Sequence, residues 1–293
     1  MVVRNPQCRR NAIICFALVI IVIILSACMN NDLSGYRNIQ LDFLKVSEVS
    51  IRGDDKAQIS SWGVCENGQI VILRNESMSI YDGNTGKKIS VYPLDTVYQQ
   101  VECRGNKQYL ISEQMRIISI VGDGQVIDIS VPDSVKQDWH ADVSPTGENI
   151  LLKCVGQSYI YDMASNTWNQ YRDYHFVGED GLSYFYNNGK VHAYDMKGRS
   201  VAVFSTVPYD PSPLYTIGIS SYGDWHLIAE PMVDKSGEDD VEIIVLNIRR
   251  KTVGKYKLKN GWYKLRGSNI FQMEEGSQGM ITVTKWHIVE AHK

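Results

Sequence analysis

A turn built from Gly, Asn, Asp or Ser returns about every 40 residues along this chain. Asn67-Gly68, Gly105-Asn106, Thr146-Gly147, Asp180-Gly181, Tyr222-Gly223 and Gly267-Ser268 are spaced by 38, 41, 34, 42 and 44 residues. A second series runs between them: Gly83-Asn84, Asp123-Gly124, Ser165-Asn166, Lys197-Gly198 and Arg249-Arg250. The text between the turns is short and rich in β-branched and aromatic residues, as in Gln69–Leu73, Met78–Tyr81, Ile89–Tyr92, Ile150–Lys153, Ser158–Tyr161, Val201–Phe204 and Val241–Leu246. Such runs, bounded by residues that tolerate tight backbone turns, read as strands. No stretch after residue 30 keeps a 3.6-residue apolar period, so the body of the chain is expected to be all-β.

A period near 40 with two turn series is the length of a four-stranded unit, so each repeat is expected to be one four-stranded antiparallel sheet. Ile80, Ile120 and Ile160 mark the third strand of three successive units. The local text Ile80-Tyr81-Asp82-Gly83-Asn84 returns as Ile160-Tyr161-Asp162 and Ala193-Tyr194-Asp195. Val143-Ser144-Pro145-Thr146-Gly147, followed by Ile150-Leu151-Leu152 and Tyr159-Ile160-Tyr161-Asp162, is similar to WD40-like and related bacterial β-propeller repeats. The resemblance implies a propeller of six blades, with seven as the alternative. Six turns of the first series face only five of the second, so the last unit lacks a strand. Asn38–Leu44 and Val46–Ile51 are strand-like and precede the first full repeat. They are expected to close the ring as the missing strand and to remove an exposed sheet edge. An open sandwich or two small β domains is the competing reading.

The first residues are of another kind. Arg4, Arg9 and Arg10 precede an apolar run over residues 12–27, broken only by Ser26. A basic segment followed by a short apolar core is a secretory leader pattern. Leu25-Ser26-Ala27-Cys28 at its end resembles the lipobox of bacterial lipoproteins. That resemblance implies cleavage before Cys28 and acylation of its thiol, which would anchor the chain to a membrane through lipid. Three regions are therefore expected: a signal peptide at 1–27, a lipidated tether at 28–36 and a β-propeller at 37–293. Met29, by analogy with Gram-negative lipoproteins, favours the periplasmic face of the outer membrane if the host is Gram-negative.

Composition narrows the classes further. The 293 residues are 44% hydrophobic and 22% charged, with a formal net charge of −3. Those values exclude disordered, collagen-like and multi-span membrane chains. No basic run follows residue 10, so nucleic acid is not an expected partner.

Candidate chemistry is sparse. Trp62, Gln100, His140, His175, Thr216 and Trp262 take comparable places before the first-series turns, so they are candidates to ring one mouth of a central channel. Asp142 lies beside His140 and gives the one acid near two histidines. Such a group suits a bound ligand, with packing at the top of the inner strands as the bland alternative. Cys65 and Cys103, 38 residues apart, both precede a first-series turn. An oxidising compartment permits a disulfide between them. Equivalent positions on neighbouring inner strands are often too far apart for bridge geometry, so buried thiols are expected for Cys65, Cys103 and Cys154. The acidic stretch Asp234–Glu242 lacks the order of a calcium loop and reads as a solvated hairpin tip. No cofactor, no metal and no catalytic residue is assigned.

Two functions are consistent with this reading. One is a lipid-anchored envelope protein whose propeller binds a protein or polymer partner without catalysis. The other is a propeller enzyme of hydrolase, lyase or lactonase type with its site at the channel mouth.

Overall fold

The computed structural model describes residues 37–291, apart from 54–57, 136–138, 145–146, 155–156, 172–175, 178–181, 188–189, 196, 198, 206–217, 223–224, 234–238, 248–249, 251 and 259–260. The expected leader and anchor, with Cys28, lie outside the described residues, as do His175 and Thr216.

The chain opens with β1 (Arg37–Asn38) and a long β2 (Leu41–Arg52). Four meanders of four strands follow: β3 (Ile59–Val64), β4 (Ile70–Arg74), β5 (Ser77–Tyr81), β6 (Lys88–Pro93); β7 (Gln100–Arg104), β8 (Lys107–Ser112), β9 (Ile117–Gly122), β10 (Gln125–Ser130); β11 (His140–Val143), β12 (Asn149–Cys154), β13 (Gln157–Asp162), β14 (Thr167–Tyr171); and β15 (Phe176–Val177), β16 (Ser183–Asn187), β17 (Lys190–Tyr194), β18 (Ser200–Ser205). A fifth group comprises β19 (Gly218–Tyr222), β20 (Trp225–Val233), β21 (Asp239–Asn247) and β22 (Thr252–Leu258). The last is β23 (Trp262–Arg266), β24 (Asn269–Glu275) and β25 (Met280–Glu290), with one 3-10 turn at Ser277–Gly279.

Each group is one antiparallel sheet whose strands pair in chain order. The sixth departs from that order: its fourth strand is β2, paired along its whole length with β25 from Leu41↔Glu290 to Arg52↔Met280. The two expected N-terminal strands are thus one strand, with an irregularity at Lys45/Ser47 that leaves Val46 without a partner across the sheet. Pairing with the last sheet begins at Leu41, whereas Arg37 and Asn38 pair in parallel with Thr252 and Val253 of β22 and add a fifth strand to the fifth sheet.

Burial follows position within each sheet. The middle strands are apolar on both sides because neighbouring sheets cover both faces: every residue of β4 is buried, as are five of the six in β8. The outermost strands β6 and β10 face water, leaving Ile89 and Val126 exposed. The core is a set of layers between adjacent sheets. Val71, Leu73, Met78 and Ile80 meet Val101 and Leu110 between the first and second sheets. Tyr109, Ile111 and Ile118 meet Ala141, Ile150 and Leu152 between the second and third. Leu41 packs with Ile243, Val245, Leu265 and Ile270 between the fifth and sixth. Val49, Ile51, Met273, Ile281 and Val283 of the sixth sheet share a layer with Trp62, Ile70 and Ile72 of the first.

The turns explain the repeated text. In the second series, the Asp after the repeated Tyr accepts main-chain N–H bonds from the turn it opens: Asn84 and Thr85 donate to Asp82 Oδ1, Ala164 to Asp162 Oδ1, and Lys197 and Arg199 to Asp195 Oδ1. This closes the third strand locally, the role such side chains suit. In the first series Gly147 has φ +73°, and a Cβ there would lie 2.6 Å from the Tyr109 hydroxyl. That hydroxyl donates to Gly147 O at 3.0 Å, tying the second sheet to the third.

Candidate functional site

The innermost strands β3, β7, β11 and β23 carry polar side chains that bridge one sheet to the next. Val101 N donates to Ser61 Oγ at 3.1 Å, from β7 to β3. Gln100 Nε2 donates to Ala141 O at 2.8 Å, and Arg104 Nε donates to Val143 O at 3.0 Å, both from β7 to β11.

At the centre of this network lies Glu102 of β7, with its side chain 8% exposed. Lys264 Nζ and Arg266 Nη2, both from β23, reach its two oxygens at 2.6 and 3.0 Å. Arg104 Nη1 stands 3.9 Å from Oε2. Burial by itself would raise the Glu102 pKa, but Lys264, Arg266 and Arg104 together outweigh it and hold the carboxyl well below the usual carboxylate range. A carboxylate held this way is a permanent anion and a poor proton acceptor.

Beside the cluster is a cavity of about 500 Å³ bordered by the first, second and sixth sheets. Its lining includes Cys65, Cys103, Arg104, Arg266 and Lys285, with Glu66 as the one carboxylate. Lys285 Nζ lies 5.7 Å from the Phe271 ring centroid. The lining is net positive and suits an acidic group.

The residues expected at a channel mouth differ in their surroundings. Gln100, His140 and Trp262 each begin an innermost strand, at corresponding ends of three sheets. Gln100 is engaged with Ala141, next to His140. His140 is exposed, and Asp142 is held by Lys153 Nζ at 2.7 Å. Trp62 is 2% exposed within the layer joining the first and sixth sheets, and its ring is packing. Trp262 is 41% exposed on a shallow cleft of about 440 Å³ with Glu274 and Glu275. Among the described residues no group of three His, Cys, Asp or Glu side chains could hold a metal ion.

Glu102, Arg104, Lys264 and Arg266 were not singled out by the sequence reading. Their signal was present: charges at alternate positions, as in Glu102-Cys103-Arg104 and Lys264-Leu265-Arg266, inside strands otherwise apolar. An ordinary edge strand carries the same pattern, so only the inner position of β7 and β23 gives it meaning.

Cys65 and Cys103 are both buried thiols, yet they are not held apart. The Ser61–Val101 bond sets the two inner strands in a register that brings Gly63, not Cys65, alongside Cys103, and a Cβ on Gly63 would lie 2.9 Å from Cys103 Sγ. Cys65 sits just past the end of β3, where Gln108 Nε2 reaches its Sγ at 3.8 Å.

No protein-family model matches this sequence, and neither does any curated protein. Solved structures do. Virginiamycin B lyase from Staphylococcus aureus superposes with a TM-score of 0.51 at 14% identity, over 86% of this chain and 100% of that one. Hsv2 from Kluyveromyces lactis gives 0.52 at 16% identity, over 81% and 76%. Both are propeller structures. The fold is a β-propeller. At such identities the likeness carries the architecture and nothing of the activity.

Proposed function

We propose that this chain is a lipid-anchored envelope protein whose six-bladed propeller, closed by β2, is a non-catalytic binding module. The six sheets, the pairing of β2 with β25, and the layer shared by the first and sixth sheets support six blades in a closed ring. The lipobox ending at Cys28 supports the anchor. Met29 supports the periplasmic face of the outer membrane.

The observation that carries the binding reading is the cation-lined cavity beside Glu102. Glu102 beside it is consumed by three cations and is unfit for proton transfer, while Lys285, which does not engage Glu102, faces a space large enough for an acidic group of a protein or envelope polymer. Trp262 adds an exposed aromatic face on the same sheet. The enzyme reading rests on His140, Asp142 and His175; Lys153 neutralises Asp142, and His175 lies outside the described residues.

Photo-crosslinking side chains placed at Lys285 and at Trp262 in the full chain, in cells, test the module. Both are expected to capture one and the same partner, and an identical probe at Val126 on the outermost strand of the second sheet is not. Equal capture from all three positions, or stoichiometric zinc or calcium in the purified full chain, overturns the reading. Cys28→Ser tests the anchor: an unlipidated precursor is expected, and a processed product of unchanged mass in the same membrane fraction overturns it.

A further inference from the structure

We propose that Cys65 and Cys103 are a reactive thiol pair that exchanges with a disulfide and closes a covalent cross-link between the first and second blades. Three features of the geometry carry this. Both thiols line the same cavity, so a small disulfide has a route to them although each residue is at most 3% exposed. They are neighbours across the two innermost strands: Gln108, which pairs with Cys103 across the sheet, donates from Nε2 to Cys65 Sγ at 3.8 Å, and Cys103 Sγ lies against Gly63, two residues before Cys65. Gly63 supplies the clearance: any side chain there would meet Cys103 Sγ at 2.9 Å.

The surroundings make the two sulfurs unequal. Cys65 has Cys103 within hydrogen-bonding reach, accepts from Gln108 Nε2 at 3.8 Å and feels the Arg266 charge. The nearness of Cys103 is the largest of these effects, and together they lower the Cys65 pKa against the opposing effect of burial. Cys103 moves the other way, because of the same neighbour and because it is buried. A thiolate attacks and a thiol does not, so Cys65 is the first nucleophile and Cys103 the resolving one.

The exchange balances with a neutral disulfide as co-reactant. Cys65 thiolate attacks one sulfur of 2-hydroxyethyl disulfide. Its S–S bond breaks, a mixed disulfide forms on Cys65, and the leaving thiolate takes up the proton that Cys65 gave to solvent. Cys103 then loses its proton and attacks Cys65 Sγ, expelling the second 2-mercaptoethanol. The two cysteines are oxidised by two electrons, and one disulfide is reduced to two thiols. Neither the lipid anchor nor a bound ligand is required.

The test uses the full chain in detergent, reduced, freed of reductant and treated with 2-hydroxyethyl disulfide. Remaining thiols are then alkylated and the protein is digested with trypsin. The expected product joins peptide 57–74, which carries Cys65, to peptide 89–104, which carries Cys103, while Cys154 is alkylated. Recovery of Cys65 and Cys103 as alkylated thiols overturns the proposal. Two variants test the order of attack. Cys103→Ser is expected to stop at a stable mercaptoethanol adduct on Cys65, and Cys65→Ser is expected to leave Cys103 unmodified. Equal adduct yields from the two variants overturn the assignment of Cys65 as nucleophile.

Discussion

Glu102 and Lys264, 162 residues apart in the chain, meet at 2.6 Å between the second and sixth sheets. Both of those sheets pack against the first, which shares one apolar layer with the sixth and another with the second. The ion pair therefore joins two sheets that each pack on the first, and it reports on their mutual placement.

Glu102→Gln keeps the volume and removes the charge, leaving Lys264, Arg266 and Arg104 mostly buried without their carboxylate. Breaking a buried ion-pair cluster from one side costs about 3 kcal/mol or more. Chemical denaturation should show a lower midpoint with an unchanged slope, since the surface exposed on unfolding stays the same. A midpoint equal to that of the parent would show that the cluster is not coupled to folding.

Acid should act through the same residue. The folded pKa of Glu102 lies well below its unfolded value, so between the two the unfolded chain binds more protons. Its contribution is complete above about pH 5 and is lost as pH falls through about 4.3 towards the folded value. Asp82, Asp162 and Asp195 are also lowered, by hydrogen bonds from their own turns, and act in the same direction. Thermal melts from pH 6 to pH 3 should therefore fall steeply at the acid end, and Glu102→Gln should flatten that fall. Parallel curves for the two proteins would remove Glu102 from the acid response.

Gly147 and Tyr109 should behave as a coupled pair. Gly147→Ala forces a side chain onto φ +73° and against the Tyr109 hydroxyl. The backbone term alone is roughly 1 kcal/mol, with the clash added to it. Tyr109→Phe removes one hydrogen bond, about 1 kcal/mol, and also removes the clashing oxygen. The double variant should be more stable than the two single losses added together, as a double-mutant cycle measures. Simple additivity would mean that Gly147 and Tyr109 do not touch in solution.

Removing residues 36–52 takes away all of β2 and leaves β25 as an unpaired edge eleven residues long. It also removes Leu41, Val49 and Ile51 from two core layers. The expected result is loss of the cooperative thermal transition with aggregation, because a long bare edge is a template for pairing. Removing residues 29–34 should leave the transition where it was. A soluble, cooperative 36–52 deletion would show that β2 is peripheral.

The strands and turns of this protein were legible because each is specified within a few residues. The Tyr-Asp text before a turn encodes carboxylate-to-backbone bonds that span two to four positions, as at Asp82, Asp162 and Asp195. Gly at first-series turns answers a local backbone demand, as at Gly147. The deficit of one strand in the last unit, set against spare strand-like text at Asn38–Leu44 and Val46–Ile51, was visible by counting.

Placement between sheets was another matter. Trp62 and Trp262 occupy comparable places before their turns, yet one is buried in a core layer and the other stands 41% exposed. The difference is register: the hairpin after Trp62 closes over three residues, Glu66, Asn67 and Gly68, and the one after Trp262 over two, Gly267 and Ser268, and in a strand a shift of one residue moves a side chain to the opposite face. The meeting of Glu102 with Lys264 and Arg266, and the approach of Cys65 to Cys103, likewise carry no local signal. The sequence by itself determined the repeating sheet and its turns, because hydrogen bonds between chain neighbours enforce them. Only the tertiary structure decided which charges and thiols share a space, because those contacts depend on how the sheets stack, and stacking brings Arg266 to Glu102 although the chain keeps them 164 positions apart.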